Sequence, residues 1–122
     1  MPSNFRDDII EILEDQFADV HGVHAGMIFG HPGFKVGDRV FCFAWEDGLC
    51  LKLPKADYEA ALELEEAEPF APGGSKMGTW VVLSFPEAPQ YLEQWHWVEQ
   101  ALAYIVTDEA APPKKRRKRQ QA

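Results

Sequence analysis

The chain has 122 residues and a formal net charge of −8, with 46% apolar and 12% aromatic residues. This composition excludes a chain that is disordered throughout, and the length suits one globular domain rather than two. No apolar run approaches the roughly 20 residues that span a bilayer, and the first residues lack the basic and apolar segments of a secretion signal. We therefore expect a cytoplasmic protein with no membrane partner.

The charge is unevenly divided along the chain. All twenty acidic residues precede Ala110, together with six basic residues, which gives this part a formal charge of −14. The other six basic residues are consecutive: Lys114, Lys115, Arg116, Arg117, Lys118 and Arg119. Beyond Thr107 there is no large apolar residue, a composition typical of disorder. We predict a folded domain over residues 1–107 and a disordered basic tail over residues 108–122.

Helices are predicted at both ends of the domain and once between them. Apolar residues recur every three or four positions in the first helix: Phe5, Ile9, Leu13, Phe17 and Val20. This spacing gives an amphipathic helix with one apolar face, which ends at His21 and Gly22. A second helix is predicted over residues 55–67, where Pro69 stops it. The last is predicted as one helix over residues 90–106.

Strands are predicted over residues 23–29, on both sides of Glu46-Asp47-Gly48, and over residues 79–85. Residues 30–37 are rich in glycine and predict a turn region. A three-residue hairpin loop with Gly48 in the left-handed conformation pairs Trp45 with Leu49 and gathers the large apolar side chains on one face. Short connections favour antiparallel pairing, so we predict a two-layer α+β domain with helices packed on one face of an antiparallel sheet.

The predicted hairpin register has two further consequences for the opposite face of the sheet. Cys42 and Cys50 lie diagonally on that face, too far apart for an unstrained disulfide, and are predicted to be free thiols. No helix is left to cover the small residues of this face, Val40 and Ala44 among them. An exposed apolar patch usually marks a contact surface, so we expect a symmetric homodimer.

Three short motifs resemble the TfoX N-terminal domain: MIFG at residues 27–30, GFxVGxxVF at 33–41 and DGLxLK at 47–52. Pro69-Phe70, Met77 and Trp80 continue the match. The pieces FKV at 34–36, LKLP at 51–54 and FxPG at 70–73 are also similar to the MmcQ/YjbR proteins. The resemblance covers residues 5–106 and implies a secretion-chaperone-like fold in the order α-β3-α-β2-α, which requires a short strand near Pro69.

The same resemblance implies little chemistry. TfoX-like proteins are associated with the regulation of natural competence, and YjbR-like proteins are often described as candidate DNA-binding proteins. Neither family supplies a catalytic residue set for this chain. The resemblance therefore implies a small binding or regulatory module rather than an enzyme.

The residues themselves offer few candidates for catalysis or metal binding. His21, His24 and His31 lack the tight spacing of zinc ligands, and the glycine-rich segments 30–37 and 73–78 match no phosphate-binding motif. The two cysteines lie in predicted strands among apolar neighbours, where a thiolate is not stabilised. We therefore predict no enzyme activity, no metal and no cofactor.

The basic segment 114–119 is the most specific feature outside the predicted core. Six consecutive Lys and Arg residues suit binding to a nucleic acid or another polyanion, or a nuclear import signal if the host is a eukaryote. A solvated tail that only contacts its own acidic domain is the other interpretation. The sequence leaves both open.

Overall fold

The computed structural model describes residues 6–28 and 30–107. Four helices and six strands follow one another in chain order: α1 (Asp7–Phe17), β1 (Val23–Ile28), β2 (His31–Val36), β3 (Arg39–Trp45), β4 (Gly48–Lys52), α2 (Lys55–Ala61), β5 (Ala67–Pro69), β6 (Trp80–Leu83), α3 (Ala88–Glu93) and α4 (His96–Ile105).

The six strands form one sheet in the order β1-β2-β3-β4-β6-β5, and all neighbours are antiparallel. Side chains from all four helices share a buried core with one face of this sheet. The predicted class, a two-layer α+β domain with helices on one face of an antiparallel sheet, is therefore confirmed. The short strand expected near Pro69 is β5. We call the face of the sheet that packs against the helices the helix face, and the opposite one the second face.

The order of elements differs from α-β3-α-β2-α in two places. The glycine-rich region 30–37, predicted as turns, contains β2, so four strands precede α2 rather than three. Gly30 and Gly37, at φ 78° and 61°, form the turns on either side of this strand. The predicted last helix is two helices, because the chain leaves helical geometry at Gln94. The second helix is also shorter than predicted and ends at Ala61.

The hairpin register differs from the predicted one by one residue. Trp45 pairs with Gly48 and Phe43 with Cys50, which leaves only Glu46 and Asp47 at the turn. The left-handed residue is Glu46, at φ 51°, and not Gly48. Glycine is needed at position 48 for another reason, since a Cβ there would lie 2.6 Å from Ser84 Oγ and 2.7 Å from Leu83 O on neighbouring β6.

A β-bulge then changes the alternation along β3. Phe34 pairs with Cys42 and Lys35 with Val40, so Phe41 is an extra residue without a partner on β2. A bulge allows two successive side chains to lie on the same side of a sheet. Phe41 and Cys42 are both buried in the core on the helix face, where the Phe41 ring lies 5.6 Å from that of Phe17.

The second face of the sheet is covered rather than exposed, which overturns the basis of the predicted dimer. Phe43, Cys50 and Val82 are buried there beneath Phe70. The segment after β5 holds Phe70 in place, because the Phe70 amide donates to Trp80 O at 3.0 Å and Phe70 O accepts from the Met77 amide at 3.0 Å. The centre of the sheet is therefore covered on both faces, and Trp45 packs against Phe70 on the second face.

Candidate functional site

The three suspected histidines do not converge. His21 and His24 are exposed, whereas His31 is 7% exposed on β2 and its ring lies 4.5 Å from that of Trp45. Within residues 6–28 and 30–107, no group of three or more His, Cys, Asp or Glu side chains is arranged to hold a metal ion. The histidines therefore define no common site.

The two cysteines are free thiols, as predicted, but their placement on one face was wrong. Cys42 lies on the helix face and Cys50 on the second face, so the sheet itself separates them. Both are completely buried. Burial raises the pKa of each thiol, because the thiolate would lose its hydration inside the core. Neither sulfur is placed to act as a nucleophile.

We expect both thiols to resist modification in the folded protein. At pH 8, iodoacetamide should label Cys42 and Cys50 at least about a hundredfold more slowly in the folded protein than in the urea-unfolded chain. Burial blocks the approach of the reagent and disfavours the reactive thiolate form. Mass spectrometry of timed samples measures the two rates. Rapid labelling of either cysteine without unfolding would show that the sheet face above it is open.

Arg6 makes a set of contacts that the sequence did not reveal. Its guanidinium donates to Phe85 O at 2.5 Å and to both carboxylate oxygens of Asp8 at 3.1 and 2.8 Å. The hydrogen bond from Arg6 lowers the pKa of Asp8. Arg6 also lies 5.8 Å from the centre of the Tyr91 ring. These contacts join the start of α1 to the segment that follows β6, so Arg6 is a structural residue.

Tyr91 has a comparable structural role. Its hydroxyl donates to Leu83 O and accepts from the Phe85 amide, both at 3.0 Å. Burial raises the pKa of this phenol. A hydroxyl with two backbone partners in the core stabilises the fold and is not available for acid–base chemistry.

The glycine-rich segments do not form phosphate cradles at helix ends. Residues 30–37 contain β2, and residues 73–78 lead into β6 rather than into a helix. A phosphate site of the usual kind needs the exposed amides of a helix N-terminus.

An apolar cleft of about 220 Å³ opens between α1 and the edge strand β1, and we call it the edge cleft. Its lining residues are Ile10, Glu14, Ala25, Gly26, Met27, Pro32, Gly33 and Phe34. Glu14 is the one charged residue among them and is exposed. Met27 is 64% exposed, the most of any large apolar side chain in the part of the chain that the structure describes.

The backbone of β1 shows which of its groups point away from the sheet. Only two residues separate Ile28 from its partner His31, and the pair that closes such a hairpin is joined by hydrogen bonds, so the next pair, Met27 with Pro32, is of the wide type. Because wide and narrow pairs alternate, Ala25 and Val23 also point outward. The amide of Val23 donates to Val20 O at 3.4 Å. The amide and carbonyl of Ala25 and Met27 therefore face the open edge.

Two other clefts are acidic. One lies on the second face and includes Trp45, Glu46 and Glu68; the other is lined by Glu65, Glu66 and Glu68 near Ser84. Their carboxylates agree with the strongly acidic composition of the domain. The edge cleft, by contrast, combines apolar walls with an open strand.

The basic residues predicted to bind nucleic acid, at positions 114–119, lie outside the described residues, as does the whole predicted tail. None of the helices in the described part of the chain has the length and apolarity needed to cross a membrane. A scan against protein-family models and searches of curated proteins and of solved structures found no match to the chain.

Proposed function

We propose that this protein is a non-enzymatic binding or regulatory module of the TfoX/YjbR type, and that it binds its partner at the edge cleft. The sequence motifs support the family assignment, and the two-layer arrangement is the kind of fold that the resemblance implies. The side chains that are candidates for catalysis are engaged in the core, which favours a binding role. Both thiols are buried, and the hydroxyl of Tyr91 is occupied by backbone partners.

The observation that carries the proposal is the contrast between the two edges of the sheet. Edge strand β5 has only three residues, and Glu68 and Pro69 are two of them. Short length, charge and proline are the usual means by which an edge is protected from pairing. Edge strand β1 has six residues without a proline or a formally charged side chain, and the edge cleft runs beside it. Pairing of a partner strand is therefore favoured at β1 over β5.

A selection from random displayed heptapeptides tests this proposal, with wild type and Ala25→Pro as parallel targets. The amide of Ala25 points outward, so proline there removes a donor from the edge and no bond between β1 and β2. We expect peptides to be enriched on wild type and lost on the variant, while circular dichroism and the thermal midpoint of the two proteins agree closely. Enrichment of the same peptides on both targets would place the binding surface elsewhere.

The second candidate function is sequence-independent binding of a nucleic acid or another polyanion through residues 114–119. The observation that favours it is the division of charge, with −14 before Ala110 and six consecutive basic residues after it. Phosphate contacts require local positive charge, which the acidic domain lacks. The two functions use different parts of the chain, so they can be tested separately.

A further inference from the structure

We infer that the partner at the edge cleft is an extended peptide segment that adds a strand to β1 and places a lysine or arginine side chain over the cleft, with its charged group at Glu14. This inference rests on the proposed function and specifies its partner. Three sets of observations lead to it: the backbone of β1, the charge beside the cleft, and the different charge on the other side of the same strand.

The backbone supports strand addition. Ala25 and Met27 each present an outward amide and carbonyl, two residues apart, which is the repeat with which an added strand forms paired hydrogen bonds. Successive side chains of the added strand would then alternate between the helix face and the second face. Those on the helix face enter the edge cleft, because Ala25 and Met27 line it from that side.

The chemistry of the cleft selects a long basic side chain. Ile10, Met27 and Phe34 give apolar walls, and Glu14 supplies a carboxylate at the exposed rim. Lysine and arginine have an apolar stem and a charged end, so they can satisfy both. The rest of α1 has four acidic residues and no basic one, so no positive charge on this helix opposes a basic side chain. An acidic side chain entering the same cleft would be repelled.

On the second face, a basic side chain from the neighbouring strand β2 lies beside β1. Lys35 lies across Gly26 on the second face, where a Cβ on Gly26 would be only 3.1 Å from Lys35 Cδ. The stem of Lys35 therefore covers β1 on the side away from the cleft, beside the same edge. Basic side chains of the partner are favoured over the cleft and disfavoured on the second face. This difference determines which side chains of the added strand lie on the helix face.

A second copy of this chain fits the edge less well than such a peptide. Strand β1 contains no lysine or arginine that could reach Glu14 of another copy. Pairing β1 with itself would also bring two acidic α1 helices to the same face of a joined sheet. Like charges placed opposite each other oppose association.

Fluorescence anisotropy with three labelled nonapeptides tests the inference. Each alternates threonine and valine and carries arginine, glutamine or glutamate at its centre. We expect the arginine peptide to bind wild type up to about fivefold more tightly than the glutamine peptide, with the glutamate peptide weakest, because only arginine forms an ion pair with Glu14 and pairs at exposed positions are weak. Glu14→Gln should reduce the preference for arginine over glutamine to less than about twofold.

Two variants separate this inference from the proposed function. Glu11→Gln removes an acidic residue of α1 that does not line the cleft and should leave the arginine preference intact. Ala25→Pro should abolish binding of all three peptides. Equal binding of the three peptides that is lost in Ala25→Pro would overturn the basic partner but keep the edge as a binding site. Failure of every peptide to bind would overturn strand addition. Dimerisation of wild type in sedimentation, lost in Ala25→Pro, would show that the occupant is a second copy.

Discussion

Gly33→Ala is expected to destabilise the domain by roughly 3 kcal/mol or more, at the upper end of the cost of overpacking a core. Gly33 lies on β2 opposite Phe43 of β3. A Cβ at this position would lie 2.5 Å from the Phe43 Cβ and 2.7 Å from its Cα, and still closer to the carbonyl oxygen of Cys42. These are largely backbone or Cβ atoms next to the bulge at Phe41, so relief requires the two strands to move apart.

Gly26→Ala is the matched control, because Gly26 pairs with Gly33 across β1 and β2. The atoms nearest to its added Cβ belong to the stem of Lys35, at 3.1–3.5 Å, and this flexible side chain can move. We expect a change below about 1 kcal/mol, since loss of unfolded-chain entropy offsets the crowding. Urea unfolding of both variants gives the comparison. Equal stability of the two variants would mean that Gly33 does not approach β3 as closely as described.

The sequence predicted the class of fold but not the pairing of β3 with β4. Alternation in residues 41–45 and 49–53 is compatible with both registers, and the prediction chose the one that gathers the large side chains on one face. That choice assumed a sheet with one buried face. Phe70 covers the second face from a segment far along the chain, so Phe43 is buried there instead. Nothing in the local pattern contains this information.

The roles of two glycines differ from the predicted ones for a related reason. Because glycine is common in turns, the sequence predicts a left-handed turn residue at Gly48 and a turn region around Gly33. Both lie in strands, where their missing side chains allow neighbouring strands to approach. A sequence shows that glycine is present, but it does not show whether a positive φ or a close contact with a neighbouring strand requires the glycine. The bulge at Phe41 is likewise not visible in the local pattern, although it brings Phe41 and Cys42 to the same face.

The edge cleft could be predicted only in part. The consecutive hairpins from β1 to β4 make β1 a candidate edge strand, and Met27 is a large apolar residue in a short strand. However, the cleft also requires Ile10 and Glu14 of α1, and their position beside β1 depends on how the helix packs. The register of β1 against β2, which shows the outward backbone groups, cannot be predicted without recognising β2 as a strand.

Removal of residues 112–122 is expected to abolish any binding of the protein to duplex DNA. The remainder of the chain has twenty acidic residues and six basic ones, so it repels phosphates. If the six basic residues at positions 114–119 each neutralise one phosphate, the logarithm of the binding constant should fall with the logarithm of salt concentration with a slope of up to about −5. Titrations of labelled duplexes at several salt concentrations measure this slope.

Binding through these six residues should also be indifferent to DNA sequence, because contacts to phosphates carry no information about base edges. A full-length variant with glutamine at all six positions separates charge from chain length and should lose binding as completely as the truncation does. The domain of both variants should unfold at the same urea concentration as wild type, since every core residue among those described precedes Val106. If the glutamine variant instead retained sequence-specific binding, the recognition surface would lie on the acidic domain. The division of charge would then have no part in nucleic-acid binding.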